Sequence, residues 1–383
     1  MILRRLKQEE HGVTRALWEE VFQEDTKEFL DYYYFIKTQN NEIYVIEEDG
    51  KIRSMLQLNP YEIQIEEKKV PSCYIIAVAT QKEYRSRGYM GELLRTSMAD
   101  MYARKIPFTF LMPAAEAIYT PYDFRYIYSQ CQKELSGRSA DDSGALTQAE
   151  DAAAAELADA RLIDAEAMAE FFQEHFAHRW QVASVRDTQY YRTMILEQQS
   201  EHGGVMLMKA DGKISGMFPY ALEEDFEIRE PLLMEGYERA FLKAAAELSG
   251  GRNTKVYAAP KWMDPEEKPL IMARLLFLPA FFGVMKAEEE AELDCSFAVI
   301  DPIIRQNSRI WRLQSAAGET EIHVRETEDS EGVLPVAELT EFLFGRIDIE
   351  TLRAREGVIL TDRLMVQFGM IKPLQHVFLN EVV

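Results

Sequence analysis

A strand, a tight turn and a second strand occur twice in this chain, and the repetition favours a fold built from two related units. The tetrapeptide Asp-Gly-Lys-Ile stands at residues 49–52 and again at 211–214, 162 residues later (211 minus 49). An Asp-Gly pair between two apolar runs is typical of a β-hairpin. A helical segment with two adjacent tyrosines, at 32–33 and at 190–191, precedes each hairpin. Because the order of elements is kept, we predict two related α/β domains.

The first copy continues into a strand, a loop and a helix. Residues 73–80 are a short, nearly continuous apolar run, which is typical of a strand buried on both faces. We predict a loop at 85–91, a helix at 92–104 and another buried strand at 108–112. Ahead of the hairpin, helices are predicted at 9–24 and at 26–37, the second beginning at a Thr26 cap.

The rest of the chain divides into three stretches. Residues 136–160 contain almost no large apolar side chain and are predicted to be a linker or peripheral segment, with an exposed Ala-rich helix as the alternative. The second copy leads into a helix at 238–248, and it has no basic, Gly-rich turn ahead of that helix. From residue 295 onward, alternating strand and helix patterns predict a separate α+β unit.

Composition excludes several classes of function. The net charge is −22 and the pI near 4.8, which argues against binding to nucleic acid or to an anionic membrane. Three scattered cysteines, and histidines without metal-site spacing, predict neither a disulfide framework nor a metal centre. There is no signal-peptide pattern and no apolar run near the ~20 residues of a membrane span. We therefore expect a cytoplasmic protein with no membrane span.

The loop at residues 85–91 reads Arg-Ser-Arg-Gly-Tyr-Met-Gly and lies between a buried strand and an amphipathic helix. The N–H groups at a helix N-terminus and the helix dipole together favour an anion. Gly88 and Gly91 let the main chain approach a phosphate, and Arg85 and Arg87 supply positive charge. A solvated loop with capping glycines is the alternative, and the flanking strand and helix favour the anion site.

Residues 78–91 resemble the acetyl-CoA pyrophosphate loop of GNAT-type N-acetyltransferases, whose pattern is (R/Q)xxGx(G/A). Arg85 and Gly88 fill the first two positions, and Met90 departs from the last. Residues 115–124, Ala-Glu-Ala-Ile-Tyr-Thr-Pro-Tyr-Asp-Phe, are similar to the segment after the fifth strand in the enhanced intracellular survival (Eis) family, whose members tolerate an apolar residue at the Met90 position.

The Eis resemblance covers the whole chain and implies an α/β and α+β protein. It implies tandem GNAT-type acetyltransferase domains, the second degenerate, followed by a sterol-carrier-protein-like α+β domain. The expected boundaries are 1–135 for the catalytic domain, 136–160 for the connecting segment, 161–288 for the degenerate domain and 289–383 for the last domain. The family also implies a homo-oligomer, either a trimer or a hexamer.

The resemblance implies roles for particular residues. Tyr119 matches the family's general acid; the alternative is that Tyr119 is a core aromatic residue. The terminal carboxylate of Val383 matches the family's base; the alternative is that the chain end is a strand that only completes a sheet. Acetyl-CoA, the co-substrate, is expected to bind main-chain groups of the strand end and the loop: Val78, Ala79, Thr80, Arg85, Ser86, Arg87, Gly88, Tyr89, Met90 and Gly91. No metal ligand is expected.

The predicted function is acetyl transfer from acetyl-CoA to a primary amine of a small cationic acceptor of the aminoglycoside, polyamine or lysine type. Carboxylates and aromatic rings bind such amines through ion pairs and cation–π contacts. The predicted substrate-binding residues are Trp18, Phe22, Glu24, Asp25 and Glu116. Glu116 and Glu381 are also the alternative candidates for the catalytic base. The competing prediction is a non-catalytic binding module whose last domain binds a lipid or protein partner through Trp311, Phe342 and Phe344.

Overall fold

The first domain is a twisted sheet with helices on it. The computed structural model describes residues 1–135, 155–222, 225–290 and 292–381. The first-domain strands are β1 Ile2–Arg5, β2 Glu42–Glu48, β3 Lys51–Ile65, β4 Lys68–Thr80, β5 Phe108–Leu111 and β6 Arg125–Leu135. The helices are α1 Arg15–Val21, α2 Lys27–Phe35, α3 Tyr89–Ala103 and α4 Glu116–Tyr119.

Of the two helices predicted ahead of the first hairpin, one agrees with the structure and the other does not. Helix α2 begins where expected, with the Thr26 side chain accepting a hydrogen bond from the Phe29 N–H. The single helix predicted for residues 9–24 is instead a 3₁₀ segment, Gln8–Thr14, followed by the shorter α1. Gly12 and Thr14 are weak helix formers, which accounts for the tighter first part.

The second domain repeats this plan. Its strands are β7 Glu156–Asp159, β8 Val182–Ser184, β9 Gly204–Ala210, β10 Lys213–Leu222, β11 Phe226–Ile228, β12 Leu232–Leu233, β13 Thr254–Tyr257 and β14 Glu266–Leu275. Its helices are α5 Ala165–His175, α6 Thr188–Ser200 and α7 Glu238–Ser249. Both predicted hairpin turns are present: Asp49, Gly50, Asp211 and Gly212 all have positive φ, as a type I′ turn requires. The two-domain prediction is confirmed.

The two domains exchange strands, which the sequence pattern did not predict. Strand β6 of the first domain pairs with β13 of the second. Strand β14 of the second domain pairs with β5 of the first, and β6 and β14 also pair with each other. The helices with the tyrosine pairs meet as well, since the Tyr32 hydroxyl donates to Glu197 on α6 at 3.0 Å. One continuous sheet therefore joins the domains.

The third domain is α+β, as predicted. Its elements are α8 Leu278–Phe282, β15 Lys286–Ala287, β16 Leu293–Ile300, β17 Ile310–Ser315, β18 His323–Thr327, β19 Gly332–Pro335, α9 Val336–Leu343, α10 Ile349–Arg353, β20 Ile359–Leu360, α11 Asp362–Phe368, β21 Ile371–Lys372 and β22 Val377–Phe378. Strands β18, β17, β16, β19 and β20 form its sheet in that order.

The segments between the domains are only partly described. Most of the predicted connecting segment, residues 136–154, lies outside the described residues, while Glu156–Asp159 at its end is strand β7, paired with β9. Near the chain end β22 pairs with β8, and β8 pairs with β3. None of the helices in the described part of the chain is both long enough and apolar enough to cross a bilayer.

Candidate active site

Strands β4 and β5 separate at the end of the first-domain sheet. They pair only at Cys73 and Tyr74, whereas β4 runs on to Thr80. Beside this opening β4 carries a bulge: its register with β3 shifts next to Ala77, whose φ is +51°. A left-handed alanine inside a strand is strained, and bulges and strain of this kind are common beside functional sites. The main chain of β4 on this side is thus open to a peptide-like ligand.

Residues 85–88 form the loop at the same end of β4, and α3 begins at Tyr89, three residues earlier than predicted. Gly88 has φ +82° and is the N-cap of α3, a conformation that favours glycine. A Cβ at Gly91 would lie 2.6 Å from the Tyr122 hydroxyl oxygen, so a larger residue there would require the Tyr122 side chain to shift. Residues 85–88 are exposed, and Arg85 Nε donates to the Thr80 carbonyl at 3.2 Å. The N–H groups of the first helical turn and the two arginines can together hold a phosphate.

Met90, the departure from the family pattern, does not obstruct this loop. Its half-buried side chain packs against the apolar cluster under the helix that includes Leu93, Leu94 and Tyr119. The neighbouring Tyr89 is buried, and its hydroxyl donates to Glu48. Both side chains therefore leave the helix N-terminus clear.

Tyr119 ends helix α4, and its ring is 93% buried, packing edge-on against Phe124. Its hydroxyl makes no hydrogen bond to another described residue, and burial is the one cause that shifts its pKa. Burial raises the pKa of Tyr119 to about 12. The phenol is therefore protonated at neutral pH, with a proton available for donation.

A cavity of about 760 Å³ lies between the first two domains. The segment after α2, strand β3 and strand β6 line one side, α6 and the segment after β11 line the other, and Asn380 and Glu381 line it as well. Its acidic lining residues are Glu62, Asp187, Glu197, Glu227, Glu230 and Glu381, and its basic ones are Lys37, Arg192 and Arg229. The excess of carboxylates favours a cationic ligand.

Two buried amide side chains on the cavity wall have polar atoms without a protein partner. Asn59 is 1% exposed and accepts from the Tyr33 hydroxyl at 3.0 Å, but its Nδ2 has no partner among the described residues. Gln198 is 2% exposed, and its Oε1 likewise has none. A buried polar atom without a partner is costly, so these two atoms favour a polar ligand.

The predicted substrate-binding residues lie elsewhere. Trp18 is buried against Tyr33, and its indole N–H donates to Asp25 at 2.6 Å. Phe22 is half-buried beside Trp18, while Glu24 and Glu116 are exposed. None of these five residues lines the 760 Å³ cavity. Sequence reasoning missed Asn59, Gln198 and Tyr190, because they reach the cavity only when the two domains are packed together.

The residues proposed for a lipid or protein partner are core residues of the third domain. Trp311 is 4% exposed, and its indole N–H donates to the Asn307 carbonyl at 3.0 Å. Phe342 and Phe344 are 3% and 1% exposed. Their burial gives the binding-module alternative no support.

The chain end approaches the cavity. Val383, the predicted base, lies outside the described residues, and that role stays a prediction. Glu381, the alternative, lines the cavity and is 4% exposed. The Tyr190 hydroxyl on α6 donates to its carboxylate at 3.1 Å, and the hydroxyl of Ser184, the last residue of β8, also donates to it.

Residues 3–127 match the family model described as an acetyltransferase (GNAT) domain, and residues 278–376 match the sterol carrier protein domain. The crystal structure of Eis1 from Mycobacterium abscessus is similar over 100% of both chains, with a TM-score of 0.72 and 13% identity. The chain therefore carries an N-terminal GNAT-type acetyltransferase domain and a C-terminal sterol-carrier-protein domain. The bulged β4 and the loop at 85–91 lie in the part that matches the GNAT model.

Other solved structures share this fold. A probable N-acyltransferase from Enterococcus faecalis has a TM-score of 0.81 and 16% identity, covering 98% of this chain and 99% of that one. A GCN5-related N-acetyltransferase from Anabaena variabilis has a TM-score of 0.79 and 15% identity, covering 100% of both. No curated protein matches the chain.

Proposed function

We propose that this protein transfers the acetyl group of acetyl-CoA to a primary amine of a small cationic acceptor. The observation that carries the proposal is the junction in the first domain, where the opened end of β4, the bulge at Ala77 and the phosphate-compatible loop at 85–91 come together. Such a junction offers main-chain groups to an amide-bearing chain and helix N–H groups to its phosphates.

The residues present fit acetyl-CoA as a co-substrate. The main chain of Val78, Ala79 and Thr80 would bind the amide-bearing arm, and the loop from Arg85 to Gly91 would hold the pyrophosphate. The corresponding turn of the second domain carries Glu235 and Gly236 ahead of α7, without arginines. Since carboxylates repel phosphate, one acetyl-CoA per chain is expected.

The chemistry needs a neutral amine and a proton for the departing thiolate. Tyr119 suits the second task, because its pKa of about 12 keeps the phenol protonated and no described residue holds its hydroxyl proton. A positioned acid contributes about 10²- to 10⁴-fold to the rate. Tyr119 is therefore proposed as the general acid.

The acceptor is proposed to bind in the 760 Å³ cavity. Its carboxylates suit ammonium groups, while Asn59 Nδ2 needs a hydrogen-bond acceptor and Gln198 Oε1 needs a donor. A fully protonated alkyl polyamine has no acceptor atom for Asn59. The cavity therefore fits an amine that also carries hydroxyl or carbonyl oxygens, such as an amino-cyclitol or a lysine amide, better than a simple polyamine.

The proposal is tested by incubating the protein with acetyl-CoA and three amines: spermidine, lysine methylamide and 2-deoxystreptamine. Release of free CoA thiol that depends on the amine, with formation of the acetylated amine, is the expected result. If acetyl-CoA binds but no amine is acetylated, the proposed function is wrong.

A further inference from the structure

Glu381 is held in the cavity wall by groups of the second domain, although it follows the third domain in the chain. Its neighbour Asn380 accepts from Gln130 Nε2 at 2.6 Å and donates to Glu230 at 2.9 Å. The Tyr190 hydroxyl lies within 3.2 Å of both Glu381 carboxylate oxygens, and Ser184 donates to one of them. The carboxylate thus has a fixed position at the cavity.

The cationic partner of Glu381 is Arg186, which lies closer to the Glu230 carboxylate than to that of Glu381. Arg186 is fully buried and binds Glu230 through both terminal nitrogens, one contact being 3.0 Å, whereas its nearest approach to Glu381 is 3.9 Å. Lys37, in the segment after α2, contributes a weaker attraction, and its ammonium lies 3.4 Å from the Tyr61 hydroxyl. Arg186 is thus neutralised mainly by Glu230.

Burial has the largest effect on the protonation of Glu381. It raises the pKa of this carboxyl above its usual range, and Glu230 raises it further, while Arg186, Ser184 and Lys37 lower it. A carboxylate with a raised pKa is a stronger base than an exposed one. Glu381 can therefore accept a proton that an ordinary surface glutamate would accept only weakly.

The buried Tyr74 interacts electrostatically with both Glu381 and the proposed general acid Tyr119. Its buried phenol is close enough to both Tyr119 and Glu381 for each to raise the pKa of Tyr74, and its hydroxyl hydrogen-bonds the backbone of Met112. Met112 follows β5 and lines the cavity. Through Met112, Tyr74 therefore contacts the wall of the cavity in which the acceptor amine is proposed to bind.

We propose that the side-chain carboxylate of Glu381 is the base that takes the proton from the acceptor's ammonium group. The inference rests on the proposed function and adds a catalytic residue to it. One ammonium proton goes to Glu381, and the amine nitrogen forms a bond to the thioester carbonyl carbon. The carbon–sulfur bond breaks, the thiolate takes the Tyr119 proton, and the second nitrogen proton returns to the Tyr119 oxygen. Glu381 then releases its proton to water.

The test uses the full chain with Glu381→Gln. Glutamine keeps the shape and can still accept from Ser184 and Tyr190, and Arg186 keeps its Glu230 partner, so folding and acetyl-CoA affinity should change little. We expect kcat with 2-deoxystreptamine to fall about 10²- to 10⁴-fold. The rise of activity with pH that reflects deprotonation of Glu381 should disappear, while Glu381→Asp should keep that rise at a reduced rate.

The matched control is Glu341→Gln. Glu341 is a half-buried carboxylate of the third domain whose pKa burial also raises, and it pairs with Arg355 at 3.3 Å, away from the cavity. Its kcat and pH profile should equal those of the unmodified protein. An active Glu381→Gln protein with an unchanged pH profile would overturn the inference and return the base to the Val383 carboxylate. An unmodified protein that acetylates none of the amines would instead contradict the proposed function itself, and the inference with it.

Discussion

Nη2 of Arg274 lies 2.6 Å from Oδ1 of Asp301, and both side chains are fully buried. Arg274 is on β14, the strand that the second domain contributes to the first-domain sheet, and Asp301 follows β16 of the third domain. Arg274 also donates to the Tyr122 carbonyl at 2.9 Å, three residues after Tyr119. This ion pair therefore links all three domains to the segment that carries the proposed general acid.

Asp301→Ala should strongly destabilise the protein, because it leaves the Arg274 charge buried without its main partner. Breaking a buried pair from one side costs about 3–5 kcal/mol. The control is Asp362→Ala, which breaks the exposed Arg353–Asp362 pair and should leave the unfolding midpoint unchanged. Urea unfolding of both variants checks this, and equal midpoints would show that the buried pair contributes nothing.

Tyr119→Phe should lower kcat about 10²- to 10⁴-fold while leaving acetyl-CoA affinity nearly unchanged, because it removes only the donated proton. Since the pKa of Tyr119 is about 12, the phenol should stay protonated and cause no loss of activity between pH 6 and about 10. Tyr126→Phe, a half-buried tyrosine on β6, is the control. Steady-state rates across this pH range measure both effects, and full activity of the Tyr119 variant would make Tyr119 a packing residue.

Charge reversal of the loop with Arg85→Glu and Arg87→Glu together should abolish acetyl-CoA binding, because two carboxylates would then face the phosphates. The matched control is Lys213→Glu with Lys268→Glu, which changes the net charge equally on exposed strand positions. Isothermal titration calorimetry should give one site per chain for the control and the unmodified protein. Two equivalent sites would show that the second domain also binds acetyl-CoA.

Asn59→Leu should reduce discrimination in favour of oxygen-bearing amines. It removes one hydrogen bond to the acceptor, worth about 0.5–1.5 kcal/mol, so kcat/KM for 2-deoxystreptamine should fall about 2- to 12-fold. The value for spermidine should change little, because spermidine offers Asn59 no acceptor atom. The ratio of the two kcat/KM values is the measurement, and an equal fall for both amines would contradict a specific role of Asn59.

The homo-oligomer implied by the family resemblance stays a prediction. We expect a trimer or a hexamer, because closed symmetry is the usual arrangement of soluble homo-oligomers. Light scattering coupled to size-exclusion chromatography should therefore give a multiple of the 44.3 kDa chain mass. A mass equal to that of one chain would refute the prediction.

Local patterns predicted the parts of this fold that local residues determine. The two Asp-Gly turns require positive φ, and Thr26 caps its helix as expected. The helix after Arg85 begins at Tyr89, three residues earlier than predicted. The exchange of β6 and β14 could not be predicted, because strand pairing between distant segments leaves no local pattern. For the same reason the cavity residues Asn59 and Gln198 were not recognised, while the substrate-binding role of the residues around Trp18 stays a prediction.

Transfer of a labelled acetyl group tests the central claim most directly. The protein is incubated with deuterated acetyl-CoA and 2-deoxystreptamine, and the amine is then examined by mass spectrometry. We predict an amine that carries one deuterated acetyl group with the unmodified protein, and almost none with the Arg85→Glu, Arg87→Glu variant. Equal labelling by the two proteins would contradict acetyl transfer from a co-substrate held at the loop of the first domain.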